Sequence, residues 1–154
     1  MSAIPEIRPG QSIELLKALH ILTRDGKLNQ DSRRKLKQVH HLCHFIEPLL
    51  AEIVASGKGL TLVDHGAGKS YLGFLLYDLF FRTRDDGHIY GVEARAELVE
   101  HARNLASRLA FTRMSFLNLH VENAIESSEL PARVDIVTAL HACDTATDLS
   151  LIHI

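Results

Sequence analysis

The chain has 154 residues, 46% hydrophobic and 23% charged, and a formal net charge of −2 at pH 7. That size suits one domain with a real core, and the balanced charge supplies no overall attraction to nucleic acid or to an anionic membrane. No apolar run approaches the roughly 20 residues that span a bilayer, the start Met1-Ser2-Ala3-Ile4-Pro5-Glu6 lacks the regions of a signal peptide, and Cys43 and Cys143 form no framework, so a reduced, cytoplasmic setting is expected.

In chain order, Leu15, Leu16, Leu19 and Leu22 predict a short helix over Ile13 to Leu22. Asp31 or Ser32 is the expected cap of the next helix. Its stripe is Leu36, Val39, Cys43, Ile46, Leu50 and Ile53, and Pro48 inside it predicts a kink or a break in two. Ser56-Gly57-Lys58-Gly59 turns the chain into a first strand, Leu60 to Val63. A helix over Ser70 to Phe81 comes next, with Leu72, Leu75, Leu76, Leu79 and Phe80 on one face. A second strand runs from His88 to Val92 and ends at Glu93; a helix over Ala96 to Ala110 then turns Leu98, Ala102, Leu105 and Leu109 inward. Met114 to Val121 is the third strand, Glu122 to Pro131 holds a short helix, and Val134 to Leu140 is a fourth strand ending at His141.

This alternation predicts an α/β fold: a Rossmann-like parallel sheet flanked by helices, with right-handed crossovers. Residues 1–58 read as an N-terminal helical segment and 59–154 as the α/β domain. The tail Leu149 to Ile154 offers neither cap nor turn signal, and ending there would leave the fourth strand as an apolar edge. The domain is therefore expected to be C-terminally truncated.

The strand–acid–glycine–helix order at Val63-Asp64-His65-Gly66-Ala67-Gly68 marks a nucleotide pocket at the carboxyl end of the first strand. Three ligands compete for it. Gly68-Lys69-Ser70 invites a phosphate loop, but the further glycine such a loop needs is replaced by Val63. A dinucleotide fingerprint places its third glycine on Tyr71, and Asp64 would face a pyrophosphate. S-adenosylmethionine has no phosphate; its ammonium wants a carboxylate, which Asp64 offers, and its methionine carboxylate can use the turn's N–H groups and the helix start. Glu93, at the end of the second strand, can accept from both ribose hydroxyls. Each residue alone has a plain structural reading as a turn glycine or a helix-start carboxylate; together, in this order, they favour S-adenosylmethionine.

At these residues the chain resembles class I S-adenosylmethionine-dependent methyltransferases: Val63 to Gly68 looks like their first motif and Val92-Glu93 like their second. Asp135-Ile136-Val137-Thr138-Ala139-Leu140-His141-Ala142-Cys143-Asp144-Thr145-Ala146-Thr147-Asp148 is similar to the fourth-strand segment of a bacterial methyltransferase group. It is more distantly similar to a loop of tRNA 2′-O-methyltransferases, whose glycine is replaced by Asp144. Lys35-Leu36-Lys37-Gln38-Val39 looks like the helix preceding the first motif in the bacterial group. The resemblance implies a methyltransferase domain of which 59–154 supplies the first four strands, with S-adenosyl-L-methionine as cofactor. It implies cofactor contacts from Asp64, His65, Gly66, Ala67, Gly68, Glu93, Asn123, Ala124 and His141, with Asn123 meeting the adenine amino group. His141 and Asp144 are the candidate catalytic residues, and with Asp148 the candidate bases or orienters. The acceptor is unnamed, RNA leading.

Competing readings accompany these. Thr145, Thr147 and Asp148 can cap a helix after the fourth strand, and Cys143 reads as a small buried residue. His40 and His44 share a helical face, but no further ligand cluster completes a metal site, so no metal is expected. Arg33, Arg34, Lys35 and Lys37 suit a phosphate-bearing substrate or a solvated face; Lys37 and Gln38 reach the pocket if their helix packs over the turn. A non-catalytic Rossmann-like binding domain, or an inactive methyltransferase fragment, is the alternative to an enzyme.

Overall fold

The computed structural model describes residues 7–57, 59–124, 126–143 and 146–153, with backbone alone for 121, 140–143 and 146–153. Helix α1 (Ile13–Ala18) is capped by Ser12, whose hydroxyl accepts the Leu15 N–H. Helix α2 (Gln30–Ala55) starts earlier than predicted: Asn29, not Asp31 or Ser32, caps it by accepting the Ser32 N–H at 2.8 Å. Asp31 sits in the first turn and pairs with Lys35.

The predicted break at Pro48 does not occur, and α2 runs through as one helix. Pro48 and His44, whose carbonyl loses its helical donor, both lie on the exposed face, where water can take that carbonyl. The buried side chains Ile46, Leu50 and Ile53 hold the helix to the core on both sides of the proline.

Strands β1 (Thr61–His65), β2 (His88–Glu93), β3 (Met114–Asn118) and β4 (Ile136–Cys143) are parallel, and β5 (Ala146–His153) is antiparallel to β4. The order β3-β2-β1-β4-β5 sends the chain outward from β1 on one side and then back to its other side. Asp135 fixes that return: its carboxylate accepts the Thr61 N–H at 2.8 Å and its own N–H donates to the Thr61 carbonyl at 2.9 Å.

The apolar tail therefore forms a strand, pairing from Ile136↔His153 to Cys143↔Ala146. Asp148 lies within β5 opposite His141, so it caps no helix, and Thr147 sits beside it in the ladder; Thr145 falls outside the described residues. The edge of β4 presents a row of unpaired backbone groups, and the tail satisfies them.

After β1 the chain forms α3 (Tyr71–Leu76), which widens into a π turn over Tyr77–Phe81. The extra residue in that turn re-aims the side chains beyond it. Tyr77, Asp78 and Phe81 are buried, while Leu79 and Phe80, predicted inward, are half-buried. Tyr77 stacks on Phe111 with centroids 4.5 Å apart. In α4 (Ala96–Arg108) the inward set is Val99, Ala102, Leu105 and Ala106; Leu98 and Leu109 are only half-buried.

Period-two alternation divides the sheet. Leu62, Ile89, Phe116 and Ile136 join α1, α2, α3 and α4 in one continuous core. Val63 and Val92 lie on the other face with Ala124, from the short helix α5 (Val121–Ala124).

Candidate functional site

The carboxyl ends of β1, β2 and β4 meet where the strand order reverses, the place where open α/β sheets take ligands. β1 delivers Asp64 and His65 to that edge, and the glycine turn comes directly after them. Gly66 and Gly68 adopt φ of +63° and +58°, and Ser70 adopts +62°. Glycine takes this region at no steric cost, whereas Ser70 is strained there. Among the described residues nothing lies within 4 Å of a Cβ built on Gly66, so the turn faces outward from them. Beneath it, a Cβ on Gly91 would stand 2.8 Å from the Phe116 ring and 3.5 Å from Ala67 Cβ.

The turn is held by its own N–H groups. Ala67 donates to the Val92 carbonyl at 3.0 Å, Ser70 to the Ala67 carbonyl at 2.8 Å, and Gly68 to Glu93 Oε1 at 2.9 Å. These three donors are thus committed within the protein, contrary to the expectation that the turn's N–H groups serve a ligand carboxylate. Lys69 is exposed and Ser70 is buried.

Asp64 is 3% exposed and accepts the Thr138 hydroxyl on Oδ1 at 2.7 Å. The two residues are partners in the parallel register of β1 and β4. Burial pushes the Asp64 carboxyl up to about 7, against the opposing pull of the Thr138 bond. Glu93 behaves in the opposite way. The Arg95 side chain, hydrogen-bonded at 3.0 Å, is the main cause of a fall to about 2, helped by the N–H groups of Arg95 and Gly68 and resisted by burial. The edge therefore carries one carboxyl poised near neutrality and one fixed as an anion. Asn118, at the end of β3, donates its amide to the carbonyls of Glu93 and Ala94 and ties the neighbouring strand to this rim.

Asp64, Gly66, Ala67, Gly68 and Glu93 are thus brought together as their order in the sequence suggests. His65 points to the opposite face of the sheet from Asp64. It borders a cavity of about 480 Å³ with Val63, Ala124, Leu130, Val134 and Val137. Among the described residues its buried Nδ1 has no hydrogen-bond partner, and burial lowers its pKa. Ala124 is fully buried against Val63 and Val92, and Asn123 is exposed beside it. His141 lies in β4 past Ala139, the last residue paired with β1, toward the carboxyl end of the strand. Asp144 falls outside the described residues.

Sequence reasoning misses Thr138 and Arg95. Thr138 leaves one signal, a hydroxyl residue inside an otherwise apolar strand, but its pairing with Asp64 is set by strand register. Arg95 stands two residues after Glu93, a spacing short enough to be read from the sequence.

The basic run stands apart. Arg33, Arg34, Lys37 and His40 border a surface cavity of about 610 Å³. Among the described residues no hydrogen bond or ion pair joins Lys37 or Gln38 to the glycine turn, and the Nε2 atoms of His40 and Gln11 are 3.3 Å apart. No group of three His, Cys, Asp or Glu among the described residues is placed to hold a metal ion, and no described helix is long and apolar enough to cross a membrane.

Solved structures share this fold. A putative caffeoyl-CoA O-methyltransferase from Staphylococcus aureus matches with a TM-score of 0.52 at 12% identity, over 82% of this chain and 52% of that one. WbdD, a bifunctional kinase-methyltransferase, matches with a TM-score of 0.51 at 17% identity, over 63% of this chain and 21% of that one. The chain thus spans about half of one protein and about a fifth of the other. Among curated proteins none matches. A family model described as a methyltransferase domain covers residues 34–154, from early in α2 through β5, and the chain belongs to that family.

Proposed function

We propose that the crevice at the ends of β1, β2 and β4 binds S-adenosyl-L-methionine, and that the chain is the cofactor-binding part of a methyltransferase. The observation that carries this reading is the placing of two carboxyl groups, Asp64 and Glu93, around a glycine turn that opens outward at the switch point. Two acidic side chains at this edge suit a cofactor with an ammonium and a ribose diol. The family to which the chain belongs implies the same cofactor.

In this reading Asp64 meets the methionine ammonium and Glu93 accepts the ribose hydroxyls. Gly66, Ala67 and Gly68 shape the floor, and His65 supports it from the other side of the sheet. Asn123, with Ala124 packed beneath, receives the adenine edge. Bound S-adenosylmethionine supplies an electrophilic methyl group on a sulfonium. What remains for the protein is alignment, and removal of a proton where the acceptor requires it. His141 and Asp144 are assigned that work on the resemblance of their segment and on the place of β4 beside β1. The acceptor ranked first is RNA, supported by the likeness of 135–148 to a tRNA 2′-O-methyltransferase loop, and the setting is cytoplasmic.

Asp64→Asn keeps the shape of the side chain and removes its charge. It should weaken binding of S-adenosylhomocysteine about 10- to 100-fold in calorimetry, the worth of a charged hydrogen bond. Incubation with methyl-labelled cofactor and total RNA, beside total protein, should label RNA. Label in protein alone would replace the acceptor, and label in neither would favour a non-catalytic binding domain.

A further inference from the structure

We propose that the Arg95 guanidinium is an internal stand-in for the cofactor's ribose, competing with it for Glu93. This rests on the reading that the crevice binds S-adenosylmethionine. A carboxylate offers about four acceptor positions, and Glu93 has four donors around it. Oε1 accepts the Gly68 N–H at 2.9 Å and Arg95 Nη2 at 3.3 Å; Oε2 accepts the Arg95 N–H at 2.8 Å and Arg95 Nε at 3.0 Å.

These donors fall into two kinds. The two backbone N–H groups are fixed; they hold the glycine turn and the start of α4 against the strand end. The other two belong to one side chain that is 60% exposed. Its Nη2 lies 3.7 Å from the position a Cβ on Gly68 would take, so the guanidinium also lies over the glycine turn.

A vicinal diol presents two O–H donors. It can replace the guanidinium bond for bond and leave both backbone bonds in place. The carboxylate then stays fully satisfied in either state, and Glu93 remains ionised and correctly aimed while the ribose is absent. Glu93 is buried but its cationic partner is 60% exposed, so salt screens the pair and the guanidinium can swing out into solvent. Its cost is a fraction of molecules in which the ribose position is taken, which lowers apparent affinity by that fraction. Arg95 is thus a specificity-determining residue: a ligand without the diol cannot make good the two lost bonds.

Calorimetry with S-adenosylhomocysteine tests this on the wild-type chain, Arg95→Ala and Arg95→Met, the last keeping the apolar stem. Both variants should bind about two- to fivefold tighter than wild type, the worth of a pair with one exposed partner. The gain should vanish in a Glu93→Gln background and shrink as salt is raised. Unchanged or weaker binding by both variants, in proteins whose thermal unfolding stays cooperative, would overturn the competition and make Arg95 a positioning partner, while the cofactor reading stands. No binding by the wild type or either variant would overturn both together.

Discussion

Asp64 makes its side-chain hydrogen bond to the Thr138 hydroxyl, and burial holds its carboxyl up at about 7. A carboxyl raised in this way is protonated in part of the molecules near neutral pH, and a bound ammonium requires the anion. Proton release therefore accompanies binding, and affinity for S-adenosylhomocysteine should rise from about pH 6 to about pH 8, where the anion already predominates. Calorimetry in buffers of different ionisation enthalpy counts the released proton. Thr138→Val removes the donor that favours the anion, so the same profile should move to higher pH. The folding consequence has the opposite sign: the raised carboxyl weakens the fold progressively as pH climbs from the unfolded value of 3.8 to about 7. Cys43 carries a plain expectation as well. It is fully buried in the α2 stripe and its thiol is pushed up to about 12, mainly by burial. Alkylating reagents should leave it unlabelled in the native protein and label it on unfolding, as mass spectrometry of the peptides would show.

Between elements, the glycine turn is seated by the close approach of β2. Gly91 has no room for a side chain because the Phe116 ring crowds it. Gly91→Ala should cost about 1–3 kcal/mol in urea unfolding, as overpacked sites do. The acid, the glycines and Glu93 are legible in the sequence because they lie in consecutive local patterns, and the parallel strands because periodicity reports them. Asn29 escapes because Asp31 and Ser32 are equally good capping residues a few positions on. The π turn leaves no pattern, since Leu79 and Phe80 fit an ordinary helix as well. Thr138 is out of reach for a different reason: it is 74 residues from Asp64, and the strand register that joins them is a property of the assembled sheet. The strand formed by the tail looks unpatterned in sequence because its partner edge, not its own composition, decides its structure.

At the scale of the molecule, the helices and the sheet bury their apolar faces in one core. Leu36, Ile46 and Leu50 of α2 join Leu72 and Leu75 of α3 and Leu62 and Ile136 of the sheet. That packing fixes the two strand ends that carry Asp64 and Glu93, and the reversal of strand order between β2 and β4 opens the crevice above them. Whether this crevice holds S-adenosylmethionine is decided by calorimetric titration of S-adenosylhomocysteine into the folded chain at about pH 8. Saturable binding of one ligand per chain is expected, weakened about 10- to 100-fold in Asp64→Asn. A chain that unfolds cooperatively yet gives no binding heat at millimolar ligand would contradict it.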